Sequence, residues 1–230
     1  MACAHTGSLQ HADQSAARPG QKKFREVVAQ NPSFDVKAGE IEYTLPEDAL
    51  VRIRIGVANG GPLLIILKDW EQQTQGPHTE VWDRKDGTGK IFFNDDSNLM
   101  VVIACITPDQ RNPSTGSELI KGFHFSPSLE ILFPEVHRDP SRDIVDISDV
   151  VPVRVLLNEQ DKEWMTETRY EVAFYLDQIL LFEDEEGTNP YTYFLNTKGI
   201  NDGEHLLTVN VIGYSGEIGT KSVKVFVKNS

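Results

Sequence analysis

Hydrophobic and polar residues alternate along most of the chain from Ile41 onwards. The alternation is clear in Ile41-Tyr43-Leu45 and Val51-Ile53-Ile55, and it returns in Val151-Val153-Val155. A period of two residues is typical of strands in an antiparallel sheet that has one buried face. Turn-forming clusters such as Asn59-Gly60-Gly61-Pro62 separate the strands. Because helical periodicity is absent, the pattern predicts an all-β protein.

The strands fall into two series, which predict two domains. The first sandwich is expected over residues 33–134 and the second over 151–230. Residues 135–150 contain prolines and many charges, which are poor material for a core, so they are expected to be a linker. Residues 1–32 are polar and are expected to form a flexible tail, with a turn or two of helix at Phe24–Ala29. The chain is therefore predicted to contain two tandem antiparallel β-sandwiches.

Composition excludes several classes of protein. Hydrophobic residues make up 39% and charged residues 25% of the chain, which is typical of a folded globular protein. The net charge is −13, and residues 131–230 carry 9 Lys and Arg against 18 Asp and Glu. An acidic surface repels phosphate backbones, so nucleic acid is not an expected ligand. No apolar run approaches the ~18 residues of a membrane helix, so no membrane span is expected.

The N-terminal residues bear on the compartment of the protein. Ala2-Cys3-Ala4 has the small-residue pattern that precedes export cleavage sites, and Ala2-Cys3 equally fits the end of a lipoprotein signal. An arbitrary polar tail is the alternative. We expect an extracytoplasmic protein, periplasmic or on the cell surface, whose signal peptide has been removed from this sequence. Cys105 lies in an apolar run and is expected to be a buried side chain rather than a disulfide partner of Cys3.

The first half carries a resemblance to a known family. Tyr43-Thr44-Leu45-Pro46 leads to a strand pair, and Trp82-Asp83-Arg84-Lys85-Asp86-Gly87-Thr88-Gly89 follows. These segments resemble the immunoglobulin-like domain of the flagellar hook-capping protein. The resemblance implies that Trp82 packs inside the domain while the Asp and Gly residues form a turn.

The second half resembles a bacterial immunoglobulin-like domain. The segments that carry this resemblance are Tyr170–Asp177, Pro190–Tyr193, Asp202–Val211 and Gly216–Val227, with Asp202-Gly203-Glu204-His205 at the start of a strand. Such domains are passive spacers or docking modules in exported bacterial proteins, and neither resemblance brings catalytic residues. The fold expected for the whole chain is therefore two tandem immunoglobulin-like sandwiches. Gly76-Pro77-His78 in the first half echoes Gly203-Glu204-His205 in the second.

Motifs for metal or nucleophilic chemistry are absent from the sequence. The histidines are isolated, and no H-x-H, H-E-x-x-H or C-x-x-C spacing occurs. His78 and His205 are expected to lie at strand starts and to hydrogen-bond to neighbouring turns. Without a G-x-S-x-G elbow or a Cys beside a His, nothing indicates a nucleophile. We therefore expect no cofactor and no catalytic activity.

Acidic clusters are the candidate calcium ligands. Asp83, Asp86, Asp95 and Asp96 could supply oxygen ligands on loops, although their spacing is not that of an EF-hand. The alternative is that these residues form solvated turns.

Two tryptophans are the candidate residues for partner binding. Trp70 and Trp164 lie among charged residues, and large rings in such places are often interface anchors. The alternative is that both rings fold back onto their own domains.

The sequence therefore favours a non-catalytic structural or assembly subunit. Such a subunit would bridge protein partners in a larger extracytoplasmic complex, filament or tubule, with other proteins or further copies of this chain as partners. Sheets leave their outer strands unpaired, and such edges bind other chains. The alternatives are a carbohydrate-binding accessory module and an enzyme fragment whose catalytic domain lies elsewhere.

Overall fold

The structure of the chain is a computed structural model that describes residues 24–93, 98–108, 126–134, 136, 142–214 and 216–229. Within these residues it contains fifteen β-strands and one α-helix. The elements are β1 (Phe24–Val27), β2 (Gln30–Asp35), β3 (Glu40–Leu45), β4 (Ala49–Val57), β5 (Leu63–Gln73), β6 (Gly76–Val81), β7 (Leu99–Pro108), β8 (Leu129–Leu132), β9 (Ile144–Ile147), β10 (Val150–Leu157), α1 (Glu159–Thr168), β11 (Tyr170–Leu176), β12 (Ile179–Asp184), β13 (Tyr191–Asn196), β14 (Gly203–Gly213) and β15 (Ile218–Val227). In the described part of the chain, no helix has the length and apolar character needed to cross a membrane. The all-β prediction is confirmed.

The chain divides into two compact units. Unit 1 comprises the described residues of Met1–Ile55, Leu67–Asp83 and Leu99–Phe125. Unit 2 comprises those of Gly56–Ile66, Arg84–Asn98 and Ser126–Ser230. The tip of the β4–β5 hairpin thus belongs to unit 2, and β9 lies within the stretch 135–150 that the sequence predicts as a linker.

Unit 1 is built from two sheets. One has the strand order β2-β3-β6 and the other has the order β1-β7-β4-β5. Alternation places Val51, Ile53 and Ile55 of β4 on the buried face, where each is 0% exposed.

The start of the described chain differs from the sequence prediction. Phe24–Val27 is a strand paired antiparallel with β7, not a helical turn, and β2 begins at Gln30. A short isolated helix is unstable, whereas pairing with β7 supplies backbone partners and buries Val27. Residues 1–23 of the predicted tail lie outside the described residues.

Unit 2 is a sandwich of two sheets around one core. A three-stranded sheet has the order β13-β10-β8, and a five-stranded sheet has the order β12-β11-β14-β15-β9. Most pairs are antiparallel, but β9 runs parallel to β15. The core is formed by alternate residues of both sheets, including Val153 of β10, Phe174 of β11 and Val209 of β14.

The two units share one strand order. In each unit, the first, second and fifth strands of the series form one sheet, while the fourth, third and sixth lie side by side in the other, which β15 extends as a seventh strand in unit 2. The series begins at β2 in unit 1 and at β8 in unit 2, leaving out β1 and β9. Immunoglobulin-type sandwiches likewise place the first, second and fifth strands opposite the third and sixth. The predicted immunoglobulin-like architecture is therefore confirmed.

Helix α1 was not predicted from the sequence. Its N-cap is Asn158, whose side chain accepts a hydrogen bond from the backbone N–H of Asp161. Glu159 and Asp161 place negative charge in the first turn, where it stabilises a helix. The helix is only ten residues long, too short for apolar periodicity to be evident. The Asn158-x-x-Asp161 spacing was the signal that could have identified it.

Candidate interaction surface

Strand β12 is attached to β11 by a tight two-residue turn. Asp177 and Gln178 both have positive φ, 48° and 71°, as a two-residue hairpin of type I′ requires. The Asp177 carboxylate accepts hydrogen bonds from the Leu206 backbone N–H at 2.9 Å and from Nδ1 of His205 at 2.6 Å. These bonds fasten the turn to β14 and so fix the position of β12.

The His205 ring faces an acceptor at each nitrogen. Nδ1 lies 2.6 Å from a carboxylate oxygen of Asp177, and Nε2 lies 2.8 Å from the carbonyl oxygen of Asn201. Both nitrogens can donate only when the ring is an imidazolium. Burial alone lowers the pKa of His205, but the hydrogen bonds to Asp177 and Asn201 and the Asp177 charge outweigh it and raise the pKa. The geometry therefore favours the charged ring.

The stability of unit 2 is expected to depend on this protonation. Because the folded pKa of His205 is raised, its stabilising contribution is complete below the unfolded pKa of about 6.5 and is lost as pH rises through the folded pKa. Denaturant unfolding at a series of pH values should therefore show the free energy of unfolding falling through that window. His205→Gln should remove this part of the pH dependence. An unchanged pH profile in that variant would contradict the assignment.

Strand β12 forms one edge of the five-stranded sheet and leaves large apolar side chains in solvent. Its neighbour in the sheet is β11, at the end of the order β12-β11-β14-β15-β9. Ile179, Leu180, Leu181 and Phe182 are 69%, 42%, 37% and 36% exposed. A continuous exposed apolar edge is characteristic of a surface that binds another chain. We call residues 179–186 the β12 edge.

A bulge separates the two ends of β12. Phe174 of β11 pairs with Phe182, whereas the next residue, Tyr175, pairs with Leu180, so Leu181 is the extra residue. Phe182 lies on the same face as the buried Phe174 and stacks on Tyr193 of the opposite sheet, with 5.0 Å between ring centroids and 9° between planes. The ring therefore closes the open side of the sandwich while part of it remains in solvent.

The C-terminal end of the β12 edge is acidic. Glu183, Glu185 and Glu186 are exposed. Burial raises the pKa of Glu171 on β11, and repulsion from Glu183 and Glu185 raises it further. Arg169 pairs with Glu186 at 3.0 Å. Among the described residues, no Lys or Arg forms an ion pair with the other three glutamates, so this end carries unneutralised negative charge.

The two tryptophans proposed as contacts lie elsewhere. Trp70 is on β5 of unit 1 and is half-buried, with the Arg52 guanidinium 4.8 Å from its ring centroid. Arg52 is itself held by Asp69, with 2.6 Å between the guanidinium and the carboxylate. One face of the Trp70 ring is thus covered by a cation. Trp164 lies on α1, and its side chain falls outside the described residues. Both remain predicted contacts.

The calcium candidates are not assembled by the part of the chain that the structure describes. The Asp86 carboxylate is buried and accepts hydrogen bonds from the Thr88 hydroxyl and from the backbone N–H groups of Lys90 and Ile91. It closes the turn of a small hairpin, as the resemblance implied. Asp83 is exposed, and Asp95 and Asp96 lie outside the described residues. No group of three or more His, Cys, Asp or Glu that could hold a metal occurs among the residues described.

The two histidine segments adopt the same local geometry. Gly76 and Gly203 both have positive φ, and two residues later Nε2 of each histidine contacts the carbonyl oxygen four residues earlier, at 2.7 Å for His78 and 2.8 Å for His205. The predicted bonding of both histidines to turns is confirmed. However, His78 lies on β6 and His205 on β14, which are not equivalent strands of the two units. The echo is therefore a shared turn rather than a structural repeat.

Comparison with known proteins finds likeness at the level of structure. No family model and no curated protein matches the chain. The fibronectin(III)-like modules of CbhA from Clostridium thermocellum are 15% identical over 88% of this chain and 94% of that chain, with a TM-score of 0.34. An endo-β-1,4-mannanase from Thermotoga petrophila is 18% identical over 46% of this chain and 20% of its own, with a TM-score of 0.33. The extracellular domain of a protein described as a hybrid two component system from B. thetaiotaomicron is 12% identical over 86% of this chain and 26% of its own, with a TM-score of 0.32.

These matches do not identify a family. The chain spans 20% of the mannanase chain and 26% of the B. thetaiotaomicron chain. The resemblance to the flagellar hook-capping protein stays a prediction.

Sequence reasoning missed the β12 edge as a surface. Ile179–Phe182 is a short apolar run, which in sequence resembles a buried strand, and its exposure was not predicted. The available signal was the acidic run, since four consecutive apolar residues lead directly into Glu183-Asp184-Glu185-Glu186. The apolar run alone is consistent with a buried strand, so only the acidic residues that follow it directly pointed to solvent at this end of the strand.

Proposed function

We propose that this chain is a non-catalytic structural module that joins protein partners in an extracytoplasmic complex. The observation that carries the proposal is the β12 edge, where four consecutive apolar side chains are in solvent at the end of a sheet. Covering such side chains stabilises a complex by about 25 cal/mol for each Å² of apolar area removed from water. The rigid sandwich behind the edge lowers the entropy that binding costs.

The hydrogen bonds around β12 support a preformed surface. The Asp177 turn is tied to β14 through Leu206 and His205. At the other end of the strand, the Asp184 carboxylate accepts hydrogen bonds from the Tyr191 hydroxyl at 2.7 Å and from the Glu186 N–H at 2.9 Å. Both ends of the edge are held before any partner arrives, so binding would not have to order the strand.

Replacement of Ile179 tests this function. The full chain carrying a photoreactive amino acid at Leu180 is expressed in its source cells, irradiated and analysed for cross-linked protein. Ile179→Ser should weaken the recovered association by about tenfold, since buried interface anchors contribute that much or more. Val81→Ser is the matched control, because Val81 is exposed to a similar degree, 65% against 69%, but lies on β6 of unit 1.

Three other outcomes would contradict the proposal or its surface. If Ile179→Ser and wild type yield the same amount of cross-linked partner and Trp70→Ala yields less, the contact lies at Trp70 and not at the β12 edge. If neither variant yields less cross-linked partner, both the β12 edge and Trp70 are excluded as the contact surface. Binding of the chain to a glycan panel without any cross-linked protein would favour the carbohydrate-binding alternative instead.

A further inference from the structure

We propose that the β12 edge binds an extended, basic segment of a partner protein as an added strand of the five-stranded sheet. This inference rests on the proposed function and names the chemistry of the partner. Its first support is position. Among the residues that the structure describes, β12 pairs with β11 alone, so the N–H and C=O groups on its outer side are placed to pair with a further strand.

The side chains favour a partner with alternating character. Register with β11 places Leu180 beside Tyr175 on one face and Phe182 beside the buried Phe174 on the other. Ile179 shares the face of Phe182, and Glu183 shares that of Leu180. An added strand therefore meets two apolar side chains on one face and one apolar and one acidic side chain on the other. The bulge at Leu181 interrupts the pairing and increases the local twist. A long flat strand is thereby disfavoured, which limits unselective association.

The charge of the edge selects the partner. Glu183 lies on the same face of the sheet as Glu171. Burial raises the pKa of Glu171, and repulsion from Glu183 and Glu185 raises it further. A strand that brings Lys or Arg alongside them would relieve this repulsion, since opposite charges on neighbouring strands attract. A second copy of this chain is the less favourable occupant, because each copy has a net charge of −13 and brings the same acidic run.

Charge reversal at the edge tests the inference with defined probes. The probes are fluorescent peptides that alternate valine with lysine or valine with glutamate, and a lysine peptide with N-methylated backbone amides. Their binding to the full chain is followed by fluorescence anisotropy. The wild-type chain should bind the lysine peptide. The double variant Glu183→Lys with Glu185→Lys should bind the lysine peptide at least about tenfold more weakly. This variant should bind the glutamate peptide instead. Glu130→Lys with Glu163→Lys, which changes the same charge at two other exposed positions, should bind the lysine peptide as wild type does.

Each other result overturns the inference. Equal binding of the N-methylated peptide would show attraction without strand pairing. Equal weakening in both double variants would show a general effect of net charge. Dimers of the wild-type chain that form through β12 and exclude the lysine peptide would identify a second copy as the occupant. If peptide binding fails in these ways while cross-linking at Leu180 still depends on Ile179, the proposed function stands and only the basic strand is wrong.

Discussion

Replacing Trp82 with alanine should lower the free energy of unfolding of unit 1 by about 3–5 kcal/mol. Trp82 is among the largest fully buried side chains, with 1% of its surface exposed. Its backbone N–H donates to the carbonyl oxygen of Gly39 at 2.8 Å. A Cβ added at Gly39 would collide with the carbonyl of Trp82, so the backbones of these two residues are in close contact. Urea denaturation followed by circular dichroism measures the change.

Trp70→Ala is the matched control for this substitution. Trp70 is half-buried, and its described contacts include the Arg52 guanidinium over the ring. Loss of a partly exposed cation–π contact is expected to cost about 0.5–2 kcal/mol. A loss below about 1 kcal/mol for Trp82→Ala would contradict the packing of this ring. A similar loss of stability in both variants would show that the difference in burial does not determine how much each tryptophan stabilises unit 1.

The architecture was largely predictable because strand alternation is a local property. Val51, Ile53 and Ile55 repeat every second residue, and the structure buries all three. The same holds for Val151, Val153 and Val155 of β10. In each case the periodicity reports which face of the strand meets the core.

The interaction surface was not predictable in the same way, because exposure depends on strand order. Ile179–Phe182 resembles a buried strand in sequence, and only its place at the end of the five-stranded sheet leaves it in solvent. Strand order is set by contacts between residues far apart in the chain. Trp70 shows the opposite case. Its charged neighbours in sequence suggested an exposed ring, whereas in the structure the ring is half-buried under the Arg52 guanidinium.

Phe174→Ala should lower the free energy of unfolding of unit 2 by about 3–5 kcal/mol. The Phe174 ring is 0% exposed. Its centroid lies 4.8 Å from that of Tyr193, 6.0 Å from that of Tyr191 and 6.5 Å from that of Phe182. The ring thus joins the two sheets of the sandwich, and a methyl group in its place would leave a cavity between them. Thermal unfolding followed by circular dichroism measures the loss.

Phe182→Ala is expected to weaken binding without unfolding unit 2. Phe182 pairs with Phe174 and stacks on Tyr193, but 36% of its surface is in solvent. Removal of a partly exposed ring is expected to cost less than about 2 kcal/mol of stability, because part of its transfer free energy was never gained on folding. The same ring contributes apolar surface to the β12 edge, so binding of the lysine peptide should weaken by about tenfold although unit 2 remains folded. Unchanged peptide binding in a folded Phe182→Ala variant would show that the added strand does not cover this ring.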